Sequence, residues 1–330
     1  MHDASNAAEV GAPDEIGVPS EGGKPGEVHG ADPATEAFVA HRNLLFTVAY
    51  EMLGSAVDAE DVLQETWLRW ANVDLARVTD RRAYLIRITT RQALNRLRTL
   101  KRRKESYVGE WLPEPLLTAP DVAEDVELAE SVSMAMMLVL ETLSPTERAV
   151  FVLREAFDVG YPDIAAAVDK TPDAVRQIAH RARRHVDARR PRQVVSAAKN
   201  RAAVEAFRRA LETGDPQGLL DVLAPDVVLV GDGGGIKKAG RRAVVGADKV
   251  ARYIVGGSGK VDEAIAITAA EVNGQPGLAV HLDGVLDGVM AIAVSEGRIA
   301  GIYYVRNPEK LTRVGEETPL TRGAAAGRAG

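Results

Sequence analysis

The chain has 330 residues, no cysteine, 46% hydrophobic and 27% charged residues. The length fits two or three domains, and the missing cysteine excludes disulfides, thiolate zinc sites and a cysteine nucleophile. The net charge of −6 arises in residues 1–34, where seven acids face Lys24 alone, so the other residues sum to zero. No apolar run approaches the roughly 18–20 residues of a membrane span, and the N-terminus is acidic, so a cytoplasmic protein is expected.

Residues 1–33 are Gly, Pro, Ala and acid without periodicity, and read as a disordered tail. From Glu36 to Leu53 apolar residues keep helical spacing, with Gly54 as cap. A second helix follows Asp58. A third starts after Asp80 and carries ten Arg/Lys and no acid between Arg81 and Lys104. The linker 107–123 holds Trp111-Leu-Pro-Glu-Pro115. Its prolines keep it stiff, and Trp111, Leu112 and Leu116 give it something to bury, which predicts a docking strip rather than a tether. Residues 124–190 are helical again. Ser144-Pro-Thr-Glu147 is a complete capping box with Pro at N1, and Thr171-Pro172 repeats the device. Residues 191–199 read as a basic linker.

From 200 to 313 the pattern becomes α+β. Helices are predicted near 202–213 and 216–223. Alternating Val-rich runs follow near 226–230, 261–272, 276–283, 286–294 and 297–305, with turns at Asn273-Gly274 and Glu296-Gly297. Residues 314–330 read as a loose tail.

The second basic block is a helix-turn-helix. On the helix beginning at Pro172, Val175, Ile178, Ala179, Ala182 and Val186 share one arc, the buried stripe. Gln177, His180 and Arg184 centre on the opposite face, with Arg176 and Arg181 flanking. That face suits base edges and phosphates. The earlier helix contrasts with it. Between Arg42 and Arg69 there is no Lys or Arg, and Asp61, Gln64, Glu65 and Leu68 share a face, which suits a basic protein surface or plain solvent. One protein-facing helix beside one basic helix points to a bridging factor.

These segments resemble regions two and four of extracytoplasmic-function (ECF) sigma factors. The resembling stretches are AYEMLGSAVDAEDVLQETWLRW, YLIRITTRQALNRLR and SPTERAVFVLREAFDVGYPDIAAAVDKTPDAVRQIAHRARR. The remainder resembles a subgroup with a fused SnoaL-like (nuclear transport factor 2-like) domain, marked by WLPEP, DGGG and NPDKL motifs. Here these are Trp111–Pro115, Asp232-Gly-Gly-Gly235 and Asn307-Pro-Glu-Lys-Leu311, with Lys237 one place later than the family's basic residue. The resemblance implies two all-α domains, region two at 34–106 and the region-four helix-turn-helix at 124–190. An α+β cone domain follows at 200–313. It implies that Asp61, Gln64 and Glu65 bind core RNA polymerase at the β′ clamp, with β as a further contact. Arg87, Arg91, Asn95 and Arg98 would meet the −10 element. Arg176, Gln177, His180, Arg181 and Arg184 would meet the −35 element. It also implies a regulatory contact among Trp111, Leu112, Pro113, Pro115, Asp232, Gly233, Gly234, Gly235, Asn307, Pro308, Lys310 and Leu311.

The expected function is promoter-specific transcription initiation regulated by the fused domain. The alternative is a helix-turn-helix regulator with a ligand-sensing SnoaL-like domain. Asp226, Asp232, His281, Asp283 and Asp287 are the acid/base candidates, and no pair among them has a spacing that dictates chemistry. No enzyme, cofactor or metal is expected. The cone leaves a small ligand of unspecified class open.

Overall fold

A computed structural model describes residues 32–189, 197–240, 242–258 and 263–323. The tail expected at 1–33 and the linker at 191–199 therefore fall largely outside the described residues.

Three long helices come first: α1 (Pro33–Leu53), α2 (Ala56–Trp70) and α3 (Arg81–Glu105). Their ends follow local chemistry. Gly54 closes α1 in the left-handed region, Ser55 caps α2 through the Asp58 N–H, and Asp80 caps α3 through the Ala83 N–H. After the linker come α4 (Pro120–Glu124), α5 (Val126–Ser131), α6 (Met134–Glu141) and α7 (Pro145–Phe151). The Ser144/Glu147 capping box is present, and α7 runs into one π-helical turn, Val152–Ala156. Next are α8 (Tyr161–Val168) and α9 (Pro172–Asp187). Asp169 takes the left-handed conformation at the turn between them, a place where Asp substitutes for Gly at modest cost. The predicted stripe of α9 is buried at each of its five positions.

The C-terminal domain opens with α10 (Ala197–Thr213) and α11 (Pro216–Val222). Its strands are β1 (Leu223–Asp232), β2 (Val244–Val245), β3 (Ile265–Val272), β4 (Gln275–Leu282), β5 (Val285–Ser295) and β6 (Arg298–Val305). Helix α12 (Ala247–Ser258) lies between β2 and β3, where no helix was expected. The sheet order is β2-β1-β6-β5-β4-β3, with β1 parallel to β6 and the other neighbours antiparallel. Strand β6 is therefore interior, and Pro308 does not end a sheet edge. It opens a 3₁₀ turn, Pro308–Lys310, capped by Asn307.

Side chains alternate between the two faces of a strand, and here both faces are used. Ile292 and Ile302 join Phe207, Leu219 and Val250 under the helices α10–α12. Val289, Ala291 and Val305 face the other way and pack with Leu112 of the linker, Met134 of α6 and Val314. A single cluster spans the helices on both sides of the linker, from Phe46 and Trp70 to Leu153 and Val186. The sheet thus lies face-on against the helical part, with the linker between.

The tail expected to be loose is ordered from 314 to 323. Val314, Thr318 and Leu320 are buried, the Thr318 N–H donates to Leu117 O, and the Thr321 N–H donates to Thr47 Oγ1. Arg322 pairs with Asp125 and Glu127. Its Gly/Ala/Arg composition hid three apolar or hydroxyl side chains that find partners only in the fold. Residues 324–330 lie outside the described residues.

Candidate functional site

The linker is the meeting point. Asp232, at the end of β1, is fully buried and satisfied on both oxygens. Its Oδ1 accepts from Tyr107 Oη (2.5 Å) and from the Gly234 N–H (3.1 Å). Its Oδ2 accepts from Lys310 Nζ (2.7 Å) and the Leu112 N–H (2.9 Å). Lys310 Nζ also donates to Leu112 O at 2.6 Å. One acid and one amine therefore hold both peptide groups of Leu112, whose side chain is wholly buried in the sheet. Burial pushes the Lys310 ammonium down to about 8 against the pull of Asp232.

Around that pair the motif residues divide the work. Gly233 and Gly234 are required by close approach: a Cβ on Gly233 would overlap Lys237 O, and one on Gly234 would overlap the Asn307 amide. Asn307 Nδ2 donates to Tyr107 Oη (2.8 Å), and the Arg306 and Asn307 N–H groups donate to Asp232 O. Gly235 packs by Val108. Pro113 and Pro115 are buried and Leu311 is half-buried, whereas Pro308 is exposed. Trp111 does not bury like an apolar anchor. It is half-buried, and Lys310 Nζ lies 3.4 Å and Lys104 Nζ 5.1 Å from its ring centre. Its aromatic face is the useful part, as a seat for cations.

From Trp111 the charges continue into the helices. Lys104 of α3 pairs with Glu141 of α6. Glu141 Oε1 accepts from Arg148 Nη1 (2.8 Å), and Arg148 Nε and Nη2 donate to Glu51 O at 3.0 and 2.8 Å. Burial opposes ionisation of Glu141, but Arg148 and Lys104 prevail and hold its carboxyl below the usual range. The Glu51 carboxyl, enclosed and bonded to Ser131, is pushed up by burial to about 8.

Sequence reasoning missed three members of this contact. Tyr107 is one. Asn273 is the second: the predicted Asn273-Gly274 hairpin turn is plugged into the helical part instead of facing water. Asn273 Nδ2 donates to Tyr50 Oη (2.7 Å) and Val132 O (3.0 Å), and Oδ1 accepts from the Leu116 N–H (3.1 Å). Glu114 is the third, with its carboxylate on the Ala56 N–H at the start of α2 (2.6 Å). An Asn-Gly turn and a linker Glu normally read as solvated, so the sequence carried no signal for either.

The nucleic-acid candidates lie elsewhere. Arg176, Gln177, His180, Arg181 and Arg184 are all exposed along α9. On α3, Asn95 and Arg98 are exposed and bonded to each other (3.0 Å), and Arg87 stacks on Tyr84 (4.5 Å). Arg91, however, donates from Nη2 to Ala166 O of α8 at 2.7 Å. On α2, Gln64 and Glu65 are exposed, while Asp61 pairs with Arg96 at 2.8 Å. The acidic face therefore has a cation after all, supplied by α3 from 35 residues downstream.

The acid/base candidates are largely committed. Lys237, out of register with the family motif, reaches Asp287 (2.9 Å), which also holds Arg306 (2.7 Å) and Tyr304 (2.8 Å). Burial would raise the Asp287 carboxyl, but the hydrogen bonds from Arg306, Lys237 and Tyr304 win and hold it at about 2. Asp283 is not on the strand face with His281. It sits in the β4–β5 turn and bonds Ala264. A groove of about 340 Å³ between α11 and α12, lined by Leu220, Ala251 and Val255, shares no residue with the linker contact.

Comparison with known proteins agrees with this layout. Family models for Sigma-70 region 2 and Sigma-70 region 4 match residues 37–103 and 133–186. The ECF RNA polymerase sigma factor SigJ of Mycobacterium tuberculosis is 37% identical over 291 residues, 83% of this chain and 92% of that protein. A probable ECF RNA polymerase sigma factor, SigI of the same organism, is 33% identical over 283 residues, 85% and 95% of the two chains. The crystal structure of the M. tuberculosis SigJ superposes with a TM-score of 0.69 at 34% identity, covering 87% of this chain and all of that one.

Proposed function

The chain belongs to the ECF RNA polymerase sigma factors, and from that premise we propose that its SnoaL-like domain holds it closed by gripping the linker. In this reading Gln64 and Glu65, with Asp61 beside them, dock the β′ clamp. Arg87, Arg91, Asn95 and Arg98 read the −10 element. The exposed row on α9 reads the −35 element. In this reading region two runs from 34 to 106, region four from 124 to 190 and the SnoaL-like domain from 200 to 313.

The observation that carries the proposal is the engagement of Arg91. Its guanidinium donates to Ala166 O at the protein surface, so a residue of the −10 surface is bonded to the first helix of the helix-turn-helix. Arg91 cannot hold that carbonyl and a promoter base at once. In this reading promoter binding takes Arg91 off that carbonyl and parts α3 from α8, and the contacts that oppose parting are the Asp232–Lys310 grip on Leu112, the Asn273 plug and the Arg148 bridge. Each is buried, where a polar contact left unmade is costly.

The absence of cysteine makes a clean test. Cysteines placed by Lys104→Cys on α3 and Glu141→Cys on α6, which face each other across the two regions and have no DNA-reading role in this account, joined by a short cleavable thiol cross-linker, should block run-off transcription by core polymerase. Cleaving the linker in the same sample should restore it. Equal transcription before and after cleavage would contradict the closed-state proposal.

A further inference from the structure

Glu114, the acid inside the proline pair of the linker, binds region two with every polar group it has. Its N–H donates to Gly54 O (2.9 Å), and its carbonyl accepts from Tyr50 Oη (2.6 Å). Its carboxylate lies at the start of α2: Oε1 accepts from Ser55 Oγ (2.7 Å), and Oε2 from the Ala56 N–H (2.6 Å) and the Val57 N–H (3.3 Å).

The first N–H groups of a helix have no partner within it, and the N-terminal end carries partial positive charge. Ser55, the ordinary cap, satisfies only the Asp58 N–H. Glu114 takes two that Ser55 leaves and orients the Ser55 hydroxyl as well. It is a second cap supplied from outside the helix, 58 residues away in sequence. Burial raises its pKa against these hydrogen bonds.

Helix α2 is the one that displays Asp61, Gln64 and Glu65. We propose that Glu114 is a positioning residue for core-polymerase docking: it fixes the first turn of α2, and so the aim of the docking face, from the linker. The inference rests on the reading of that face as the polymerase contact. It adds a consequence for the C-terminal domain. Asp232 and Lys310 hold the peptide groups of Leu112, two residues before Glu114. Pulling the linker at Leu112 moves the cap at Glu114, so the domain that holds region four also sets how well region two is presented.

The test uses the full chain titrated with core polymerase, with amide exchange measured in parallel. Glu114→Gln keeps size and one acceptor but removes the charge. Core affinity should weaken about tenfold, the upper part of what a helix cap contributes. Exchange at Ala56 and Val57 should accelerate, while affinity for −35 duplex through α9 should not change. Glu65→Arg, on the docking face itself, is the control for the underlying reading. If Glu65→Arg weakens core binding and Glu114→Gln leaves both core affinity and the two amides unchanged, the positioning role is wrong and the docking face stands. If neither variant alters core binding, the docking face is wrong and the inference falls with it. A general loss of fold would show as lost −35 affinity as well, and that result too would overturn a specific positioning role.

Discussion

Asp232→Ala should detach the C-terminal domain from the linker while leaving both parts folded. The carboxylate accepts from Tyr107, Leu112, Gly234 and Lys310, and is fully buried. Alanine leaves the Lys310 ammonium enclosed, with only Leu112 O and two aromatic faces for company. Removing one partner of a buried ion pair costs about 3–5 kcal/mol, because the survivor is an uncompensated charge. The open fraction should therefore rise by about two to three and a half orders of magnitude, at about 1.4 kcal/mol per tenfold. Amide exchange at Leu116 and Thr118, whose N–H groups bond Asn273 Oδ1 and Glu271 O of the C-terminal domain, reads this without the loss of their own acceptors. Protection in β4 and β5, which sit inside the sheet, should persist, because their ladders do not involve Asp232. Unchanged exchange at Leu116 and Thr118 would contradict the expected detachment.

Arg148→Met should be the most damaging substitution in the helical part that leaves apolar volume roughly intact. Arg148 is buried and joins α1 to α6, with two donors on Glu51 O and one on Glu141. Methionine fills the stem but strands the Glu51 carbonyl and leaves Glu141 with Lys104. The expected loss is again about 3–5 kcal/mol, seen as a lower denaturation midpoint. Arg176→Ala makes the contrast. Its pair with Asp173 lies in solvent, where such pairs contribute about 0–1 kcal/mol, so stability should hardly move. Equal effects of the two variants would show that the buried bridge carries no special weight.

The parts of this molecule legible in sequence are those governed by local rules. The caps at Ser144 and Thr171 and the arc of Val175, Ile178, Ala179, Ala182 and Val186 follow from helical period and side-chain chemistry, and each is where that chemistry puts it. The resemblance supplied what local rules could not, namely which distant motifs belong together. Its limits are instructive. Trp111 looked like an apolar anchor, yet Leu112 fills the sheet and Trp111 seats two ammonium groups. Helix α12 escaped notice because Gly256 and Gly257 follow its apolar face at Val250 and Ile254, and the run reads as a turn region. Asn273 and Glu114 were illegible for one shared reason. Each is a polar residue at a turn or linker, a setting where solvent is the ordinary partner, and only the tertiary arrangement brings buried donors and acceptors to meet it. The ordered tail after Val314 belongs to the same class.

Those contacts also order the events of activation. In the proposed closed state region four leaves region two when Arg91 lets go of α8, and the SnoaL-like domain resists by holding the linker at Leu112 and by inserting Asn273 where α1, the linker and α5 converge. If the proposed closed state holds, such a sigma factor carries its own restraint, and the free and polymerase-bound chains differ in the separation of regions two and four.

That separation can be measured. Spin labels at Ala71→Cys, at the end of α2, and Asp187→Cys, at the end of α9, are the sole thiols in the doubly substituted chain, because the natural sequence has none. The account predicts one narrow distance distribution for the free protein, matching the closed arrangement, and a longer one in the complex with core polymerase and promoter DNA. The same distance in both states would contradict it.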